Sequence, residues 1–574
     1  MRKLLVYLNA YKLESVLGPL FKLLEASFEL LTPLVMAAIV DKGIGNGDRA
    51  YIIQMCLILV GLGIIGLVCS ITAQYFAAKA SVGFSTKLRR ALFAHVQSLS
   101  FTETDTIGTS TLITRMTSDL NQVQSGLNLA LRLFLRSPFV VFGAMIMAFT
   151  VDVKAALIFV VTIPLLSLVV FGIMLWSIPM YQKVQSGLDR VLGVTRENLT
   201  GVRVIRAFGK EEEEKGRFSD ANENLSRLQL FVGRVSALMN PITYVIINLA
   251  IVAVIWVGGV QVDTGKLTQG EVIALVNYMS QILVELIKLA NLIITVTKAL
   301  ACARRISAVM EVSSSMADTG RESFGSSEDA VVFENVSLAY KNAGAESLTG
   351  ISFTAKRGET IGIIGGTGSG KSSLVNLIPR FYDATAGRVL VGGKDVRELP
   401  LAALRSKVGI VMQKAVLFKG SIRENLSWGK EDATEEEIWR ALEISQSREF
   451  VEQKADGLDE RIEQGGKNLS GGQRQRLTIA RAMIREPEIL ILDDSASALD
   501  FATDAKLRKA IRENAAGVTV FIVSQRASTI QYADKIIVLD DGEMAGIGSH
   551  EELLASCPVY QEIYYSQFPK EARA

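Results

Sequence analysis

Glu359-Thr-Ile-Gly-Ile-Ile-Gly365-Gly-Thr-Gly-Ser-Gly370-Lys371-Ser372 is followed directly by the apolar segment 374–378. A β-branched run, a glycine loop of the form G-x-x-x-x-G-K-[ST] and a helix-period segment form the strand–loop–helix context of a phosphate-binding loop. The chemistry needs these residue types. Backbone N–H groups of Gly365, Gly366, Thr367, Gly368, Ser369 and Gly370 can cradle phosphate oxygens because glycine lets the chain come close. Lys371 reaches the β and γ phosphates, Ser372 offers a hydroxyl to Mg²⁺, and Ser373 completes the nucleotide-binding set. A Gly-rich turn with an incidental lysine is the competing reading, but it needs neither the strand nor the helix. Downstream, the apolar run 489–492 ends in Asp493, a carboxylate at the tip of a buried strand that would hold Mg²⁺ directly or through water. Its force comes from its order and spacing relative to the loop, since many strands end in aspartate.

Around this soluble segment the composition is mixed. The 574 residues are 49% hydrophobic yet 21% charged, with a mean hydropathy of +0.30, so apolar residues must concentrate in part of the chain. That part is N-terminal. Residues 51–78, 155–182 and 235–262 carry no charge and exceed the ~20 residues that a membrane-spanning helix requires. Three further apolar stretches are interrupted by charges, among them Lys22, Glu25 and Glu29 in 13–40, Arg132 and Arg136 in 128–151, and Glu285 and Lys288 in 272–300. Six spans are expected.

The connectors 41–50, 152–154 and 263–271 are short and charge-balanced, whereas 79–127 and 183–234 are long and basic. Positive charge stays on the cytoplasmic side, which places the long loops and both termini there. Those loops keep helix-period apolar positions with few breakers, so the membrane helices should run on past the bilayer. The run Glu211-Glu-Glu-Glu214, flanked by Lys210 and Lys215, reads as a solvated helix face. From 312 to 330 the texture becomes Ser, Gly and acid rich, that of a linker, and beyond it strand-like runs alternate with helical ones. The expected fold is therefore a six-helix membrane domain, 1–310, a linker, 311–330, and an α/β P-loop domain, 331–574.

With 61 basic and 59 acidic residues the net charge is +2, no footprint for nucleic acid. Cys56, Cys69, Cys302 and Cys557 show no CxxC pairing, so neither a disulfide framework nor a zinc site is indicated. The start, Met1-Arg-Lys-Leu-Leu, lacks a compact apolar stretch with a small-residue cleavage site, and no removable signal peptide is expected.

Between the two nucleotide motifs lies Asn468-Leu-Ser470-Gly471-Gly472-Gln473-Arg-Gln-Arg476, and with it the chain resembles the ATP-binding cassette (ABC) transporters, whose LSGGQ signature it repeats. Ser470 and the N–H groups about Gly471 and Gly472 make a second anion nest, which in the family serves an ATP held by another subunit. The resemblance implies that Tyr340 stacks on adenine, a plain strand tyrosine being the alternative. It implies that Gln413 contacts Mg²⁺ and water, and that Asp500 in Ser497-Ala-Leu-Asp500 lies between two sites. It covers essentially the whole chain and implies a half-transporter of the exporter type, using ATP and Mg²⁺. The segment 197–210 is similar to the second cytoplasmic loop of bacterial multidrug exporters.

Two positions depart from the family pattern. Where it has a glutamate after the strand aspartate, this chain has Asp494, one methylene shorter, and a general base must come within ~2.6 to 3.2 Å of its target. Where it has a histidine, this chain has Gln525, which donates a hydrogen bond but has no titrating imidazole; the two histidines, His95 and His550, lie elsewhere. A degenerate ATP site of its own is therefore expected. An intact signature would then complete the site of a second, non-identical half-transporter in a bacterial cell (inner) membrane. A homodimer hydrolysing slowly through Asp494 is the alternative.

The expected cargo is a small amphipathic compound, cationic if Glu25, Glu29 and Glu285 line a cavity with surplus carboxylate; if Lys22 and Lys288 neutralise them, that preference disappears. A lipid flippase of the same architecture stays open, an exporter-fold importer is less favoured, and the uncharged spans exclude a soluble cassette ATPase.

Overall fold

The computed structural model describes residues 2–316, 318, 320, 324–325, 327–341, 343–514 and 517–568. Within the expected linker, positions 317, 319, 321–323 and 326 thus lie outside the described residues. The chain divides into two compact units, one of Met1–Gln97 with Ser110–Val312, the other of Ser98–Thr109 with Ser313–Ala574.

Among the described residues, six helices are apolar and long enough to cross a membrane, and they build the first unit: Val6–Ile44, Arg49–Ser98, Thr109–Val151, Val153–Ala207, Glu211–Asp263 and Gln269–Met310. Arg49–Ser98 is one unbroken helix of 50 residues, about 75 Å at ~1.5 Å per residue and far more than the ~30 Å of a hydrocarbon core. The helices therefore run on past the apolar stretches, as the helix-period pattern of the long loops predicts. The Glu211–Glu214 run lies exposed on the first turn of its helix, with Lys210 bonded to Glu213 and Lys215 to Glu212, both at 2.6 Å. Small side chains fill the packed centre. Ala26, Ala144, Ala148, Ala155, Ala156 and Ala274 are all fully buried, and such residues let helix backbones approach where apolar burial supplies no drive between helices.

The short connectors close through caps. Asp152 accepts from Ala155 N at 2.7 Å and from Gln261 Nε2 at 2.8 Å. Thr268 and Glu271 form a capping box at the start of Gln269–Met310, and Asp41 accepts from Thr268 Oγ1 at 2.5 Å and Gly270 N at 2.7 Å.

The second unit holds two main sheets. Strands β1 (Asp329–Leu338), β2 (Leu348–Lys356), β4 (Ala386–Val391) and β5 (Lys394–Asp395) form an antiparallel sheet in the order β2-β1-β4-β5. A six-stranded sheet combines β3 (Thr360–Gly365), β6 (Val408–Val411), β9 (Ile489–Asp493), β10 (Thr519–Val523), β11 (Lys535–Asp540) and β12 (Glu543–Gly548) in the order β12-β11-β3-β10-β9-β6. Gly420–Ser421 and Arg461–Ile462 (β7 and β8) pair separately. All of the six-stranded sheet is parallel except the edge strand β12. Parallel strands are covered on both faces, which is why 489–493 is buried at every position. In register, Val523 of β10 faces both Ile363 of β3 and Asp493 of β9. The carboxyl ends of three strands thus share one edge, where α/β sheets bind ligands.

Candidate nucleotide site

Beyond β3 the chain turns through Gly366–Gly370, with Gly368 and Gly370 at φ +86° and +92°. Gly365 has a different reason to be glycine: a Cβ there would lie 2.1 Å from Leu539 O and 2.5 Å from Ser369 Oγ. Lys371 then curls over the loop, donating to Gly365 O at 2.9 Å and Gly366 O at 2.5 Å. Burial depresses the Lys371 ammonium below its usual pKa, against the pull of Asp494 and Asp493. Ser372 Oγ donates to Asp493 Oδ1 at 3.0 Å. Burial raises the Asp493 carboxyl, while the Ser372 hydrogen bond works the other way. A hydroxyl and a carboxylate from two elements thus come together as oxygen donors suited to Mg²⁺, which keeps waters and substrate phosphates for its remaining positions. The loop amides and Lys371 fit a triphosphate; ATP is the substrate such a cradle would take.

Asp494 sits at φ +46°, a left-handed conformation that aspartate adopts more readily than most residues. Its N–H bonds Val523 O at 3.0 Å, and Gln413 Nε2 donates to its Oδ2 at 3.3 Å. Burial raises its carboxyl above the usual range, opposed by that hydrogen bond and by the charges of Lys371 and Arg526. The fold therefore brings Gly365, Gly366, Thr367, Gly368, Ser369, Gly370, Lys371, Ser372, Gln413, Asp493 and Asp494 to one edge. Gln525 joins them on the loop after β10, where Ser524 N bonds Ile363 O at 3.1 Å.

Tyr340 is half-buried, donates to Ser373 Oγ at 2.9 Å and meets Tyr382 edge-on at 5.0 Å. The signature forms the start of the Gly471–Met483 helix, where Ser470 and Gln473 make a reciprocal capping box. Gly472 lies against the segment 497–500: a Cβ on it would be 3.2 Å from Ala498 O. Asp500 caps the next helix through Thr503 N at 2.9 Å and Thr503 Oγ1 at 2.8 Å.

Three features carry no sequence signal of their own. Gln567, at the end of the Pro558–Gln567 helix, donates to Gln525 O and accepts from Ala527 N, at 2.8 and 2.9 Å. Arg526 lies over the Phe501 ring at 5.0 Å. The short helix Phe101–Ile107, drawn from the first long loop, packs Phe101 on Phe381 at 4.6 Å, and its Asp105 accepts from Tyr382 Oη at 2.6 Å. None of these pairings follows a motif or a fixed spacing.

Glu25, Glu29 and Glu285 are all paired. Lys22 bonds Glu25 at 2.5 Å, Arg136 bonds Glu29 and Glu285 at 2.6 Å each, and Lys288 bonds Glu285 at 2.7 Å. Glu25 and Glu29, though one turn apart, therefore serve different partners, and the surplus of carboxylate needed for a purely cationic preference is absent.

Comparison with known proteins agrees with this geometry. Residues 15–286 match the ABC transporter transmembrane region and residues 348–497 the ABC transporter domain. An ABC transporter ATP-binding protein of Mycobacterium tuberculosis is 38% identical over 553 residues, 96% of this chain and 95% of that protein. A putative multidrug export ATP-binding/permease protein of Bacillus subtilis is 31% identical over 578 residues, 99% of each. The chain belongs to the ABC transporters. Its fold is that of a bacterial Atm1-family ABC exporter solved with ATP bound, at a TM-score of 0.81 and 24% identity over 98% of this chain and 100% of the other.

Proposed function

We propose that this chain is one subunit of a heterodimeric ATP-driven exporter. It moves small amphipathic compounds out of the cytoplasm, across a bacterial cell membrane, with both termini and the ATP-binding domain on the cytoplasmic side. The observation that carries the asymmetric reading is Asp494. Its carboxylate is one methylene short of the family's glutamate and is already engaged by Gln413, so its reach toward an attacking water is reduced. Gln525 beside it supplies an amide where the family uses an imidazole. ATP and Mg²⁺ at this chain's loop are held by Lys371, Ser372, Asp493 and Gln413, with Tyr340 against the adenine. Bond cleavage proceeds mainly at the other composite site, which Ser470, Gly471, Gly472 and Gln473 of this chain complete, with Asp500 between the two. The substrate class draws support from the multidrug-export name of the Bacillus subtilis relative.

Purified alone, the chain is expected to hydrolyse ATP far more slowly than the assembled pair. Equal rates would replace the heterodimer by a homodimer working through Asp494. Within the pair, Asp494→Ala is expected to leave most turnover intact, whereas disabling the partner's base stops it.

A further inference from the structure

One recess in the membrane unit, of about 460 Å³, has a mixed lining: the charged Glu29, Glu285 and Lys288, the polar Thr32, Asn277, Ser280 and Gln281, and the apolar Pro33, Met36 and Val284. Beside it the charge cluster holds two cations and two carboxylates. Arg136 spends one terminal nitrogen on Glu285 Oε1 and the other on Glu29 Oε2. Ser137 Oγ donates to Glu285 Oε2 at 2.9 Å, so Glu285, which is 2% exposed, is satisfied on both oxygens.

The groups on the recess side are less fully used. Glu29 meets Arg136 through one oxygen only, and its side chain is 40% exposed. Lys288 gives one contact to Glu285 and is 42% exposed. The recess therefore displays a half-exposed carboxylate and a half-exposed ammonium, each with hydrogen-bonding capacity to spare, beside the apolar Pro33, Met36 and Val284.

We infer that this recess binds a dipolar amphiphile, with an amine or quaternary cation on Glu29 and a phosphate or carboxylate on Lys288. The inference rests on the exporter reading and narrows its substrate class. Arg136 and Lys288 already balance Glu29 and Glu285, so a singly charged ligand would bring an uncompensated charge into a low-dielectric setting, where it is costly. A dipolar one adds no net charge. The shared chemistry fits either a lipid headgroup or a free dipolar solute.

Three probes with the same chain separate the possibilities: dodecylphosphocholine, dodecyltrimethylammonium and dodecyl sulfate. Binding is measured by titration calorimetry on the assembled transporter in phosphatidylglycerol nanodiscs, and ATPase stimulation on the same samples. Dodecylphosphocholine is expected to bind roughly tenfold tighter than either singly charged analogue, the value of one charge-assisted hydrogen bond. Lys288→Met is expected to remove that advantage and Lys288→Arg to restore it. Glu285 keeps Arg136 and Ser137 in both variants. Binding of chain-free phosphocholine with equal affinity would assign the site to a solute, and its failure to bind would assign it to a lipid-like ligand. Equal binding of dodecyltrimethylammonium, or an advantage that survives Lys288→Met, overturns the inference. Tight dipolar binding without any ATPase response keeps the site and counts against the exporter reading instead.

Discussion

At Gly365 the fold tolerates no side chain at all. Backbone and a buried hydroxyl close in from two sides, so Gly365→Ala forces the carboxyl end of β3 away from β11. The expected cost is about 2 kcal/mol or more, as overpacking of a tight site gives, read as a lower Tm together with weaker ATP binding. Arg136 presents the opposite problem. It is 5% exposed and holds two carboxylates, and Arg136→Met leaves Glu29 without its partner and Glu285 with only Lys288 and the Ser137 hydroxyl. Breaking a buried pair in this way costs about 3 to 5 kcal/mol; thermal unfolding of the transporter in nanodiscs should register a loss of that order, larger than for Lys288→Met.

The loop after β10 depends on an element far from it in sequence. Gln567 holds Gln525 and Ala527 through opposite ends of one amide, so the Pro558–Gln567 helix sets the position of residues 525–527. Gln567→Ala is expected to raise hydrogen exchange at 525–527 and to cost about 1 to 2 kcal/mol for the two bonds. Gln567→Glu should be no better, because a carboxylate oxygen then faces the Gln525 carbonyl. This element was not legible in the sequence, where 42 residues separate the partners and Gln567 belongs to no motif. The phosphate loop was legible, because every one of its constraints is local: strand, turn and helix follow one another without interruption. The signature was legible for the same reason. The ion pairs of the membrane unit were legible only as alternatives, since Arg136 and Glu285 are 149 positions apart and the sequence does not say which carboxylate a buried guanidinium selects.

For the molecule as a whole, the proposed division of labour between two composite sites makes opposite demands on one chain. Gly471→Asp places a carboxylate in the anion nest that, in this proposal, serves the other subunit's ATP. It is expected to reduce turnover of the assembled pair roughly a hundredfold, the scale of losing an electrostatic stabiliser. Lys371→Met, which spoils this chain's own loop, is expected to remove only a minor share. ATPase assays on the two variants with wild-type partner decide the order, and the reverse order would assign the main activity to this chain's P-loop. The six spans and the α/β sheets were readable from hydropathy and strand-like runs. What those patterns could not convey is that residues 98–109, embedded among membrane helices in the chain, fold with the ATP-binding unit.

That last feature bears on how the protein can be dissected. A fragment beginning at the linker would be born without Phe101 and Asp105, leaving Phe381 and the Tyr382 hydroxyl bare to water. An excised ATPase half is therefore a damaged object, and grafting the dodecapeptide back, as a free peptide or a tethered one, should mend it.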